Sequence, residues 1–131
     1  MGQNINKTLI GFDHFKGMPF STNGNDFSGD KKLLGYFIKF FNFKNIKLID
    51  DDFNNINQYQ KKIKKISLAY IGCDLYEETL QILNFIDNKM SKGGVIAFDE
   101  ALRDNKKGEA KAMKEFYEKR KKKYKLIKRL K

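Results

Sequence analysis

The chain has 131 residues, 40% hydrophobic and 14% aromatic, which excludes intrinsic disorder and suffices for one domain with its own core. A single cysteine excludes an internal disulfide framework and fits a reducing compartment, so the expected location is the cytoplasm. No apolar run approaches the roughly 18 residues of a membrane span, the start is polar, and the net charge of +11 is a local property of residues 106–131, where 13 Lys/Arg face three Glu.

In chain order, residues 1–6 are polar and read as frayed. Lys7–Phe12 reads as a first strand ending at Asp13, followed by a turn through Gly17 and Pro19. Residues 20–30 lack periodicity and read as a loop. From Lys31 to Phe41, Leu33, Leu34, Phe37, Ile38 and Phe41 keep helical spacing, and Phe37, Phe40, Phe41 and Phe43 read as core. Ile46–Ile49 is a second strand, closing on Asp50, Asp51 and Asp52. Asn54–Lys65 reads as a short, poorly packed helix around Ile56, Tyr59 and Ile63.

The organising stretch is Ile66–Thr79. Ile66–Ile71 is a short apolar run of strand formers, the pattern of a strand covered on both faces. It ends at Gly72-Cys73-Asp74, and Leu80, Leu83, Ile86 (or Asp87) and Met90 then fall on one helical stripe. Ser91-Lys-Gly-Gly94 is expected to stop that helix, and Val95–Phe98 forms a fourth strand ending in Asp99 and Glu100. Residues 101–108 read as a polar loop. Glu109–Lys122 predicts a helix with Ala112, Met113, Phe116 and Tyr117 inward, and Tyr124–Leu130 a last strand.

Strand–helix alternation of this kind predicts an α/β layered fold with a mostly parallel sheet. In such sheets ligands gather at the carboxyl ends of the strands. All four strands end in acid here. Acids also suit turns and helix caps, so any one of them is uninformative; the repetition points to a polar edge that holds a ligand or metal. His14 reads as a structural hydrogen-bonder and Cys73 as a small buried residue, since no partner histidine lies at a readable spacing.

Four segments carry a resemblance. Phe12–Pro19 (FDHFKGMP), Asp74–Thr79 (DLYEET), Gly93–Glu100 (GGVIAFDE) and Gly108–Ala112 (GEAKA, with Glu115-Phe116) resemble, in order and spacing, segments of the macrocin O-methyltransferase (TylF-like) family. The resemblance implies a Rossmann-like methyltransferase sheet over residues 1–131. The implied function is S-adenosylmethionine-dependent O-methylation of a sugar or glycosylated small molecule. Asp13 then matches the acid that accepts hydrogen bonds from the cofactor ribose. Asp52 and Phe53 fall in the segment bordering the adenine, and Asp74 matches the general base. Asp99 and Glu100 match an acidic pair that helps to bind Mg²⁺.

The chain departs from that family twice. Gly72 stands where the family has an aspartate metal ligand, which argues against Mg²⁺. No G-x-G-x-G pattern occurs, so the glycine loop that cradles the methionine end is missing, and the sheet is expected to be incomplete on its N-terminal side. A truncated or degenerate form with unpaired strand edges is expected to self-associate. The rival reading is a non-catalytic α/β module that binds a partner or polyanion through residues 106–131. That segment reads most simply as a solvated helix face, and no nucleic-acid-binding motif accompanies it. A phosphoacceptor domain is disfavoured, because no lysine-proline pair follows a later strand.

Overall fold

The computed structural model describes residues 7–18, 27–99 and 107–127. The fold is α/β, built on parallel strand pairs, in two compact units, Met1–Phe53 and Asn54–Lys131.

In the first unit, β1 (Leu9–Asp13) and β2 (Ile46–Asp50) pair in parallel, in register from Leu9 opposite Ile46 to Asp13 opposite Asp50. Between them runs α1 (Lys31–Phe40). It starts where it does because Asp30 caps it, with Oδ1 accepting from the Leu33 amide at 2.9 Å. It stops in a Schellman motif. Asn42 takes a left-handed φ of 56° while the Asn42 and Phe43 amides donate to the Lys39 and Ile38 carbonyls at 3.0 Å. The expected core role of Phe37, Phe40, Phe41 and Phe43 is overturned: each is 45–67% exposed and no α1 residue is buried. A two-stranded pair offers little apolar surface. The rings shield one another instead, Phe40 on Phe41 at 5.1 Å and Phe41 on Phe43 at 5.9 Å.

The second unit is a βαβ element followed by a helix. A 3₁₀ segment, Phe53–Tyr59, leads into β3 (Ile66–Ile71), α2 (Tyr76–Asp87), β4 (Met90–Phe98) and α3 (Gly108–Glu118). Strands β3 and β4 pair in parallel, ending with Ile71 opposite Phe98. Helices α2 and α3 pack together, and the core gathers Ile71, Leu83, Phe85, Ile86, Ala110, Ala112 and Phe116, all at most 6% exposed.

Four expectations fail here, each for a local reason. The α-helix read over Asn54–Lys65 is a single 3₁₀ stretch. Asparagine side chains compete for local polar partners, and Asn54 accepts from Gln81 Nε2 at 2.7 Å. Helix α2 ends at Asp87 rather than at Gly93-Gly94, and Met90 is already in β4, opposite Ile66. The glycines serve a bulge: Gly93 has φ 74°, and a Cβ on Gly94 would lie 2.9 Å from the Ser91 carbonyl oxygen. Strand β3 is covered on one face only, with Leu68, Tyr70 and Val95 of β4 64%, 68% and 46% exposed. Residues 124–127 form no strand. Tyr124 is drawn to Asp87, its hydroxyl donating to Oδ1 at 2.8 Å; residues 128–130 of that reading lie outside the described ones.

Candidate functional site

The acidic strand ends fall on two edges, one in each unit. On the first, Asp13 closes β1 opposite Asp50, and the ladder continues as the Asp51 amide donates to the Asp13 carbonyl at 3.2 Å. The Asp13 side chain is 61% exposed. Its Oδ1 accepts from the Phe15 amide at 2.6 Å, a local turn in which Phe15 takes φ 59°. Its Oδ2 has no partner among the described residues. The His14 Nδ1 accepts from the Lys16 amide at 3.0 Å, within the turn that follows β1.

Beyond β2, the Asp52 amide donates to Asp51 Oδ1 at 2.8 Å, and the Phe53 ring stacks on Phe12 at 5.2 Å and 22°. The Phe15 carbonyl accepts from the Gly29 amide at 3.3 Å, which ties the start of α1 to the β1 turn. A shallow depression lies there, lined by Ser28, Gly29, Asp30, Lys31, Lys32 and Asp50. Lys31 Nζ is 3.0 Å from Asp50 Oδ2. Chemically this edge offers an exposed carboxylate, an aromatic stack and a lysine-lined hollow. That set suits a nucleoside: paired ribose hydroxyls on the carboxylate, a base against the rings.

The second edge holds Asp99, directly after β4, and Asp74, three residues beyond the end of β3. The Asp99 amide donates to the Ile71 carbonyl at 3.0 Å, extending the ladder by one step. Asp74 is exposed and sits in the left-handed region, φ 58°, which aspartate tolerates better than most residues. Its conformation is held from behind. The Asp74 carbonyl accepts from the Glu109 amide at 3.2 Å, and a Cβ on Gly108, itself at φ 50°, would collide with that carbonyl oxygen. Thr79, fully buried, donates from Oγ1 to the Leu75 carbonyl at 2.6 Å and lies 3.2 Å from Cys73 Sγ. Burial pushes the Cys73 thiol up to about 11, which removes it as a nucleophile near neutral pH.

Two side chains at this edge escaped the sequence reading. Tyr70 donates its hydroxyl to the Asp99 carboxylate, which raises the phenol above its ordinary value. Glu109, in the first turn of α3, is 1% exposed, and its charge reaches both Tyr70 and Cys73. For Tyr70 the alternation along β3 gave its face but not its partner. For Glu109 only the obligatory Gly108 before it gave a hint. Glu100 lies outside the described residues. Among those described, no three His, Cys, Asp or Glu side chains are grouped to hold a metal, and no helix is long and apolar enough to cross a membrane.

The class that this architecture defines is a methyltransferase-type α/β fold. It is similar to a crystal structure of CalS11, described as a calicheamicin methyltransferase, with a TM-score of 0.66 and 26% identity over 82% of this chain and 51% of that one. It is also similar to the apo structure of CalS11, described as a TDP-rhamnose 3'-O-methyltransferase of calicheamicin biosynthesis. There the TM-score is 0.58 and the identity 31%, over 82% of this chain and 49% of that one. The chain thus spans about half the length of these sugar O-methyltransferases. No protein-family model and no curated protein matches it.

Proposed function

We propose that this chain is part of an S-adenosylmethionine-dependent sugar O-methyltransferase of the TylF-like kind, its two units belonging to one α/β domain. The observation that carries the reading is the likeness to CalS11 over 82% of the chain, with acids at the ends of all four strands. Asp13 would hold the cofactor ribose through its exposed carboxylate. Asp52 and Phe53 would border the adenine, and the Phe12–Phe53 stack gives that base an apolar wall.

Bound S-adenosylmethionine supplies an electrophilic methyl group on a sulfonium. Asp74 would orient the acceptor hydroxyl and take its proton. Its left-handed backbone, fixed from behind by Gly108 and Glu109, keeps the carboxylate at the open edge. We place the protein in the cytoplasm and infer self-association through its exposed apolar faces. The rival reading, polyanion binding through residues 106–131, is weaker. Several of those cations are engaged within the chain, Arg120 and Lys123 on Asp87 and Lys121 on Glu118.

Saturation-transfer NMR with S-adenosylmethionine tests the reading. With no glycine loop in these residues for the methionine end, affinity is expected to be about millimolar, near 4 kcal/mol of binding. Adenine and ribose protons should receive saturation, the S-methyl much less, and Asp13→Asn should abolish the transfer. No ribose transfer, or transfer indifferent to Asp13→Asn, refutes it.

A further inference from the structure

The second unit is electrically divided along its helices. Helix α3 begins against the Asp74 carbonyl, and the chain beyond it reaches Asp87, where α2 stops. Both helices therefore run from the acidic edge to the opposite one, at the amino-terminal ends of β3 and β4. That opposite edge gathers three stretches distant in sequence. The Ile66 amide donates to the Lys89 carbonyl at 2.8 Å, which brings the end of residues 61–65 beside the turn after α2. Asp87, two residues before Lys89, holds Arg120 and Lys123. Residues 61–65 carry four lysines, 87–92 two, and 118–125 five lysines and an arginine; the only acids in the three stretches are Asp87 and Glu118.

Cations after a helix complement its dipole, which accounts for part of the 118–125 run but not for residues 61–65, ahead of a strand. Lys61, Lys62, Lys64, Lys65 and Lys92 are all exposed. The ion pairs do not neutralise the edge. One carboxylate, Asp87, answers both Arg120 and Lys123, and Glu118 answers Lys121. Their effect is to pin the C-terminal stretch, with the Tyr124 hydroxyl also on Asp87. Leu126 and Ile127 follow directly after Lys125, 51% and 76% exposed.

We propose that this edge is a docking surface for an anionic lipid membrane, its lysines meeting the headgroups while Leu126 and Ile127 enter the boundary beneath them. Charge complementarity calls for a polyanion, and two features choose a bilayer. Lysines are flexible point charges, suited to a field of mobile headgroups. The two aliphatic side chains supply the second, apolar signal that peripheral membrane binding uses beside a polybasic patch. A single-stranded nucleic acid asks instead for open aromatic faces on which bases stack. Among the described residues of these stretches, no exposed large apolar side chain is aromatic. The Asp74 edge, at the other end of both helices, then faces away from the bilayer.

Co-sedimentation of the full chain with vesicles tests this, with circular dichroism confirming that each variant folds. The chain should bind phosphatidylcholine vesicles that contain about one-third phosphatidylserine and should leave them at about 0.5 M salt. Vesicles of phosphatidylcholine alone should not retain it. Lys64→Gln with Lys65→Gln should weaken binding about tenfold or more, and Leu126→Ser with Ile127→Ser should weaken it by about the same factor. No binding to the anionic vesicles, equal binding to phosphatidylcholine alone, or indifference to either pair of substitutions would overturn the proposal. So would displacement from the vesicles by a single-stranded or duplex oligonucleotide at matched phosphate concentration, which would make the partner a nucleic acid. None of these readouts involves S-adenosylmethionine, so the outcome is independent of the methyltransferase reading.

Discussion

Replacing Asp87 by alanine should unfasten the C-terminal segment from the second unit. Asp87 ends α2, and its side chain is 14% exposed. It accepts from Arg120 Nε at 2.6 Å, Lys123 Nζ at 2.7 Å and Tyr124 OH at 2.8 Å, and its carbonyl takes a second bond from Lys123 at 2.7 Å. Burial alone would raise its pKa, but the bonds from Lys123, Arg120 and Tyr124 outweigh it and hold the carboxyl below the usual range. A charge-assisted bond is worth roughly 1.5–3 kcal/mol when sheltered, and an exposed ion pair only about 0.2–1 kcal/mol. Arg120 is 26% exposed and Lys123 46%, so the first value applies in part to one partner and the second to the other. We expect Asp87→Ala to cost about 2–3 kcal/mol, a fall in Tm of roughly 6–12 °C for a chain of this size. Thermal melting by circular dichroism is the assay.

The pH dependence has a definite sign on both limbs. The Asp87 contribution is present above the ordinary carboxylate value of about 4 and is lost as pH falls through its lowered folded value. Burial, and then the Asp87 bond, push the Tyr124 phenol up to about 12. Its contribution is complete below the ordinary tyrosine value of about 10 and is lost as pH rises towards the folded value. The variant should lose the acid-limb difference. A melting point within about 2 °C of wild type, with the same acid limb, would refute the reasoning.

Three further outcomes are expected. Gly108→Ala should destabilise by about 1–3 kcal/mol, because a left-handed φ and the Asp74 carbonyl both oppose a Cβ there; chemical denaturation reads it. In an active form of the enzyme, Asp74→Asn should lose roughly 10²–10⁴ in turnover with cofactor binding intact, as measured by methyl transfer and calorimetry. Light scattering should find the wild type associated, and Phe40→Lys with Phe41→Lys, both at exposed rings, should shift it towards monomer.

Much of the fold was legible because the strands are short, apolar and closed by acid. Ile66–Ile71 has the expected bounds, and β1, α1 and β2 begin or end within two residues of theirs. The failures share a cause: periodicity reports which residues could be buried, not whether a layer exists to bury them. The phenylalanines of α1 keep core spacing, yet no element of the first unit covers them. Leu68 and Tyr70 read as doubly covered strand, yet one face stays open. Gly93-Gly94 looked like a helix stop because a bulge and a cap use the same residue for the same positive φ. At the edges, sequence placed Asp13 on one strand end and Asp74 with Asp99 on another pair. It could not find Tyr70, whose phenol responds to Asp99 only once β3 and β4 pair, nor Glu109, whose burial depends on α3 docking.

The central claim, that the Asp13 edge is built for the nucleoside end of S-adenosylmethionine, is tested most directly by a backbone chemical-shift map with S-adenosylhomocysteine. The account predicts shifts concentrated at Phe12–Lys16 and Asp51–Phe53, absent in Asp13→Asn. Shifts confined to the basic residues 107–127, or none at saturating ligand, would contradict it.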